Sequence, residues 1–63
     1  NMKINIDKTF NGREELDAYV RNNFGEDSKA NKDITLEMSQ DEMAKHSLSE
    51  SSVIYGAKIK KIK

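Results

Sequence analysis

The 63-residue chain contains no cysteine, and it has only one histidine and three glycines. Without cysteine the protein can form no disulfide and offers no thiolate to zinc, so the usual supports of small domains are absent. No apolar run approaches the ~20 residues that span a bilayer, and no segment resembles a signal peptide. The composition therefore predicts a cytoplasmic protein that does not contact a membrane.

Few residues are available for metal binding or catalysis. Glu42 and His46 stand four apart on one predicted helix face, but zinc needs three or four ligands and the chain has no other histidine. His46 is instead expected near a helix C-terminus, where it interacts with the helix dipole. Five of the six serines cluster around the same helix, where capping and turn formation account for them. We predict no catalytic residue and no metal site.

Cofactor and substrate sites have no sequence signature either. The glycines Gly12, Gly25 and Gly56 are isolated, so neither a phosphate-binding loop nor a dinucleotide-binding motif is present. A two-layer domain of this length also has little room for a ligand pocket, which typically occupies about 300 Å³ or more. We expect no cofactor and no small-molecule substrate, and we predict that the protein is not an enzyme.

The length of the chain allows one domain, residues 1–63. A domain of this size buries only ~60% of the surface that its unfolded chain exposes, so a monomer is marginally stable. Its stability must come from capped elements, a compact core or a second subunit. Asn1 precedes Met2 and is expected to be a remnant of the expression vector.

The first half of the chain predicts a strand and a helix. Alternation of apolar and polar side chains across residues 2–10 is typical of a strand with one buried face. Apolar residues then recur at helical spacing. Asn11 is the expected N-cap, Glu14 completes a capping box, and Gly25 is placed to end the helix.

The second half predicts a polar loop, a second alternating strand and a short helix that ends near residues 46–48. Ser39 is expected to cap this helix and Glu42 to complete a capping box. Met38 and Met43 are spaced as a hydrophobic staple. A serine-rich connector leads from the helix to the last strand.

The order of these elements, β-α-β-α-β, predicts the fold class. Three strands with one apolar face each and two helices with one apolar stripe each form two layers. We therefore predict a small α+β or α/β fold, a three-stranded sheet with two helices packed on one face. The other face of the sheet is polar and is expected to meet solvent. The pattern leaves strand order open, and it allows a parallel or a mixed sheet.

Charge is segregated along the chain although the net charge is zero. Residues 1–52 contain seven basic and eleven acidic residues, whereas residues 53–63 contain four lysines and no acid. Lysines are common on edge strands, where they deter pairing with other chains. We therefore expect the basic terminal strand, residues 53–63, to be an edge strand.

Alternation along the terminal strand predicts which of its residues face the core. Val53, Tyr55, Ala57 and Ile59 share the apolar face. The alternation fails at Lys60–Lys61, where we expect the strand to fray or bulge.

Two isoleucines of the terminal strand, Ile54 and Ile62, share the parity that faces water. One exposed isoleucine is ordinary, but two on the terminal strand of a small domain favour contact with another chain. The candidate interface consists of the residues that face outward or form the basic end: Ile54, Lys58, Lys60, Lys61, Ile62 and Lys63.

These observations predict a small non-enzymatic protein–protein interaction domain that self-associates, with a homodimer or another protein as its partner. The alternative is a nucleic-acid-binding accessory protein in which Lys58, Lys60, Lys61 and Lys63 contact phosphates. A third hypothesis is a metal-dependent or hydrolytic enzyme built around His46. The abundance of Asn, Lys, Ile and Ser is typical of low-GC bacteria and of the phages or mobile elements that live in them.

Overall fold

The structure is a computed structural model that describes residues 2–62. It confirms the predicted class, a small α+β fold with two helices and one sheet. The sheet has four strands, because the predicted terminal strand is divided into a short hairpin. The elements are β1 (Met2–Asn5), α1 (Arg13–Phe24), β2 (Ile34–Met38), α2 (Gln40–Lys45), β3 (Val53–Ile54) and β4 (Ala57–Lys61).

The strands lie in the order β1-β2-β4-β3. β1 and β4 are both parallel to β2, and β3 is antiparallel to β4. The prediction of an edge strand over residues 53–63 is therefore correct only for β3, and it is wrong for the basic strand β4, which is in the interior of the sheet. β4 lies between β2 and β3. It is parallel to β2, and β3 pairs with its other side through the hairpin turn.

β4 also continues further than predicted. Lys61 pairs with Met38 of β2, and the Ile62 N–H donates to the Met38 carbonyl at 2.9 Å. The expected fray or bulge at Lys60–Lys61 is wrong, because the parallel ladder with β2 holds the backbone through these residues.

The turn between β3 and β4 reverses the parity predicted for the terminal strand. Tyr55 and Gly56 both have positive φ, 48° and 87°, as a two-residue hairpin turn of type I′ requires. Ile54 is consequently paired with Ala57 and shares its face. Val53 instead shares the outer face with Lys58. The predicted parity is correct for β4 and inverted for β3.

Gly56 also allows a close approach between two backbone segments. A Cβ added to this residue would lie 2.2 Å from the carbonyl oxygen of Ser28. Only glycine fits this contact without a backbone shift, so the hairpin turn packs directly on the loop that precedes β2.

The helix ends follow the predicted signals in part: Gly25 and Ser39 act as predicted, but the Glu14 and Glu42 carboxylates do not complete the predicted capping boxes. The N-cap of α1 is Gly12 rather than Asn11, and it makes no side-chain hydrogen bond. The Asn11 N–H donates instead to Glu15 Oε1 at 3.1 Å. Gly25, with φ 86°, ends α1, and the Ser39 hydroxyl accepts from the Glu42 N–H at 3.2 Å and caps α2 as predicted.

The core lies between the helices and one face of the sheet. α1 contributes Leu16 and Val20, and α2 contributes Met43. The sheet contributes buried side chains from β2, β3 and β4, and β1 contributes the partly buried Ile4. The buried apolar residues are Ile6, Phe10, Leu16, Val20, Ile34, Leu36, Met38, Met43, Leu48, Ile54, Ala57 and Ile59. Between residues 2 and 62, no helix is long and apolar enough to cross a membrane.

Candidate interaction surface

Ile54, one of the six residues of the candidate interface, is in the core. Its side chain is only 4% exposed, whereas that of Val53 is 57% exposed. The prediction that Ile54 faces water is wrong, because the Tyr55–Gly56 turn places Ile54 opposite Ala57. Ile54 can contact no partner while the domain is folded.

The remaining residues of the candidate interface do not share one surface. Lys58 and Lys60 lie on the outer face of the sheet, and Ile62 follows β4 with 36% exposure. Lys61 has the opposite parity, and its N–H donates to Glu50 Oε2 at 3.1 Å. Lys63 lies outside the described residues. The basic end of the chain is therefore distributed over two faces of the domain.

The outer face of the sheet is polar, as predicted. In the register of the parallel strands, Lys3 lies beside Thr35 and Thr35 beside Lys58. Lys60 lies beside Glu37, whose carboxylate offsets part of the positive charge. Since neighbouring strands are about 4.8 Å apart, Lys3 and Lys58 are separated by about 10 Å. The face bears three lysines and one acid in this region.

An open cleft of about 240 Å³ lies between α2 and the end of β4. It is lined by two apolar side chains, Met43 and Leu48, and by four polar residues. The polar residues are Gln40, Ser49, Glu50 and Lys61. The volume is below the ~300 Å³ typical of ligand pockets. The hydrogen bond from the Lys61 N–H to the Glu50 carboxylate holds the loop that lines this cleft against β4.

Glu42 and His46 form a buried polar cluster with a structural role. His46 Nε2 lies 2.9 Å from Glu42 Oε2, and the side chain of His46 is only 2% exposed. The Phe10 N–H donates to the same carboxylate oxygen at 3.2 Å, and Lys45 Nζ lies 2.7 Å from Oε1. The cluster thus joins α2 to the segment that follows β1.

The hydrogen bond from Lys45 is the largest of the effects that lower the pKa of Glu42 below its ordinary value. The Phe10 N–H and His46 act in the same direction, and desolvation opposes them. The sequence predicts the helical spacing of Glu42 and His46 but not their burial. Within residues 2–62, no three histidine or acidic side chains converge as metal ligands.

Strand β1 forms one end of the sheet, and its outer edge is open. The Met2 N–H donates to the Asp33 carbonyl at 2.9 Å, and the Ile6 N–H donates to the Glu37 carbonyl at 2.8 Å. Because backbone groups alternate in direction along a strand, those of Lys3 and Asn5 point away from β2. This edge therefore presents two N–H and two carbonyl groups to another chain.

The side chains of β1 add apolar surface to this edge. Met2 is 51% exposed, and Ile4 is partly buried against the core. Both have the parity of the helix-covered face, whereas Lys3 and Asn5 lie on the outer face. The opposite edge, β3, has only two residues, so β1 is the longer open edge.

The sequence does not predict this surface, because strand order does not follow from the alternation of side chains. Comparison with family models, with curated proteins and with solved structures found no match to this chain.

Proposed function

We propose that the protein is a small non-enzymatic interaction domain that self-associates through the open edge of β1. The observation that carries this proposal is the direction of the β1 backbone. Lys3 and Asn5 each present an N–H and a carbonyl on the side of the strand away from β2. An extended segment that pairs with such an edge gains main-chain hydrogen bonds, and its side chains supply specificity.

The apolar side chains of β1 support the same surface. Met2 is the most exposed large apolar residue of this strand, and Ile4 lies next to it on the helix-covered face. A strand added to the edge would cover both side chains. The resulting interface is small, so we expect weak association of the kind seen for interfaces that bury less than about 1,200 Å².

The burial of His46, the side chain best suited to acid–base chemistry, supports a non-enzymatic role. His46 is held inside the domain by Glu42 and by edge-to-face contact with Phe10, whose ring centroid is 6.3 Å away. General acid–base catalysis requires a side chain within hydrogen-bond reach of a substrate. A histidine side chain that is 2% exposed gives no such access.

Sedimentation equilibrium of the wild type and two Lys3 variants tests the proposal. Lys3→Pro removes an N–H that points away from β2, so the pairing of β1 with β2 survives while the open edge is blocked. Lys3→Ala removes the side chain but keeps this N–H. We expect the wild type and Lys3→Ala to dimerise with rising concentration, and Lys3→Pro to remain a folded monomer.

Two outcomes would contradict the proposal. One is a wild type that stays monomeric and cooperatively folded up to about 1 mM, since association weaker than that supplies less than ~4 kcal/mol. The other is a Lys3→Pro variant that associates as strongly as Lys3→Ala. That result would place self-association on another surface.

A second candidate function, nucleic-acid binding, is favoured by the cluster of Lys3, Lys58 and Lys60 on the outer face. No aromatic side chain accompanies them there among the described residues, because Phe10, Tyr19, Phe24 and Tyr55 all pack against the core. Binding would therefore be electrostatic and indifferent to sequence. It predicts a log–log salt slope of about −2 to −3 for these three lysines. Absence of binding at low salt excludes it.

A further inference from the structure

We infer that the partner of β1 is the β1 strand of a second copy, paired antiparallel about a two-fold axis at Ile4. This inference rests on the proposed function and adds the partner and the register. The two four-stranded sheets would join into one sheet of eight strands across the axis. The pairing follows from which backbone groups are free and from which side chains become neighbours.

Backbone direction limits the registers that a symmetric pair can adopt. A two-fold axis perpendicular to the sheet makes the two edge strands antiparallel. Two residues that exchange hydrogen bonds must lie opposite each other, and the backbone N–H and C=O groups of both must point away from β2. Within β1 only Lys3 and Asn5 do so. Three registers result: Lys3 opposite Lys3, Asn5 opposite Asn5, or Lys3 opposite Asn5.

The register with Lys3 opposite Lys3 is disfavoured, because like charges directly across a strand pair are destabilising. The register with Asn5 opposite Asn5 pairs Lys3 with Asp7, which is favourable for charge. It also places exposed Met2 opposite Lys8, and it requires Asp7 and Lys8 to join a ladder although β1 ends at Asn5.

The register with Lys3 opposite Asn5 places compatible side chains next to each other on both faces of the sheet. On the outer face each lysine lies beside an amide of the second copy. On the helix-covered face Ile4 lies opposite Ile4, and Met2 lies opposite Ile6. These are non-hydrogen-bonded pairs, in which the Cα atoms approach to about 4.5 Å. The partly buried Ile4 side chains of the two copies thus meet across the axis, whereas Met2 adjoins Ile6, which is already buried in its own domain.

Cysteine cross-linking tests the register, because the chain has no cysteine of its own. Ile4→Cys places two thiols across the axis within the 4.4–6.8 Å Cα separation of a disulfide. We expect this variant to form a covalent dimer under mild oxidation about tenfold or more faster than Val53→Cys, an exposed position on the opposite edge. The covalent dimer is measured on non-reducing gels.

An independent pair of variants leaves the core untouched. Lys3→Cys and Asn5→Cys should each cross-link poorly alone, since like residues lie two positions apart and more than about 7 Å from each other. Mixed together, the two variants should give a covalent heterodimer. This arm decides the register even if Ile4→Cys is too unstable to fold.

The outcomes separate the two proposals. Fast cross-linking of Lys3→Cys alone or Asn5→Cys alone would overturn the register while leaving self-association through β1 intact. A dimer in sedimentation with no cross-link at any β1 position would overturn both the register and the β1 surface. A monomeric wild type with no cross-link would remove self-association altogether.

Discussion

Ile54 lies directly opposite Ala57 across the terminal hairpin, and both side chains are buried in the core. This pairing is a consequence of the two-residue turn at Tyr55 and Gly56, where both residues have positive φ. In a continuous strand Ile54 and Ala57 would face opposite sides of the sheet. The turn therefore decides which of two adjacent residues, Val53 or Ile54, supports the fold.

The first prediction contrasts these two neighbours. Ile54→Ala should destabilise the domain by roughly 2–5 kcal/mol, because truncation of a buried isoleucine leaves a cavity. A domain of this size has a total stability of only about 5 kcal/mol, so much of the population should unfold. Val53→Ala is the control, and its effect should stay within about 0.5 kcal/mol. Urea unfolding of both variants measures the difference, and the reverse ranking would contradict the hairpin.

The second prediction concerns the two glycines with positive φ. Gly25 and Gly56 have nearly the same φ, 86° and 87°, but a Cβ at Gly25 meets nothing within 4 Å. Gly25→Ala should therefore cost only the backbone strain, about 1–3 kcal/mol, because φ 86° with ψ 173° is a conformation that is essentially restricted to glycine. Gly56→Ala adds a clash with the Ser28 carbonyl and should cost about 1–3 kcal/mol more. Equal losses in thermal unfolding would show that the hairpin turn does not pack on this loop.

The third prediction concerns pH and the Glu42 carboxylate. Its pKa in the folded protein is below the ordinary value of 4.5, chiefly because of the hydrogen bond from Lys45. A lowered pKa contributes stability that is present above the unfolded value and is lost as pH falls through the folded value. The wild type should therefore lose stability below about pH 4.5.

Glu42→Gln tests this dependence. The variant lacks the titrating group, so its urea midpoint should fall less steeply than that of the wild type as pH is lowered below 4.5. The comparison uses the change of midpoint with pH, and the absolute stability of the variant does not enter. Parallel pH profiles for the two proteins would mean that Glu42 does not make its buried contacts in solution.

The sequence predicts the features that depend on local spacing. Alternation predicts the buried faces of β2 and β4, whereas Met2 on the corresponding face of β1 is 51% exposed. The Ser39 cap is predicted from its relation to Glu42. The β3–β4 hairpin is not predicted, because its turn is Tyr-Gly rather than the Asn-Gly or Asp-Gly typical of type I′ turns. From the alternation of its side chains alone, the segment 53–63 resembles one continuous strand.

Long-range contacts account for the other differences. His46 and Asn31 are polar but buried, and each also contacts a residue distant in sequence: Phe10 packs on His46, and Tyr55 binds Asn31. Asn31 donates to the Gly25 carbonyl at 2.8 Å and to the Tyr55 carbonyl at 3.1 Å. The candidate surface on β1 likewise depends on strand order, which side-chain periodicity does not encode. Its composition could be read from the sequence, but its position at the edge could not.

Amide hydrogen exchange at two protein concentrations tests the central claim most directly. The N–H groups of Lys3 and Asn5 point away from β2, whereas that of Ile4 points toward it. Raising the concentration from about 10 μM to about 1 mM spans the range of weak association. The account predicts that Lys3 and Asn5 become protected at the higher concentration while Ile4 is protected at both. Unchanged exchange at Lys3 and Asn5, in a sample that sediments as a dimer, would contradict it.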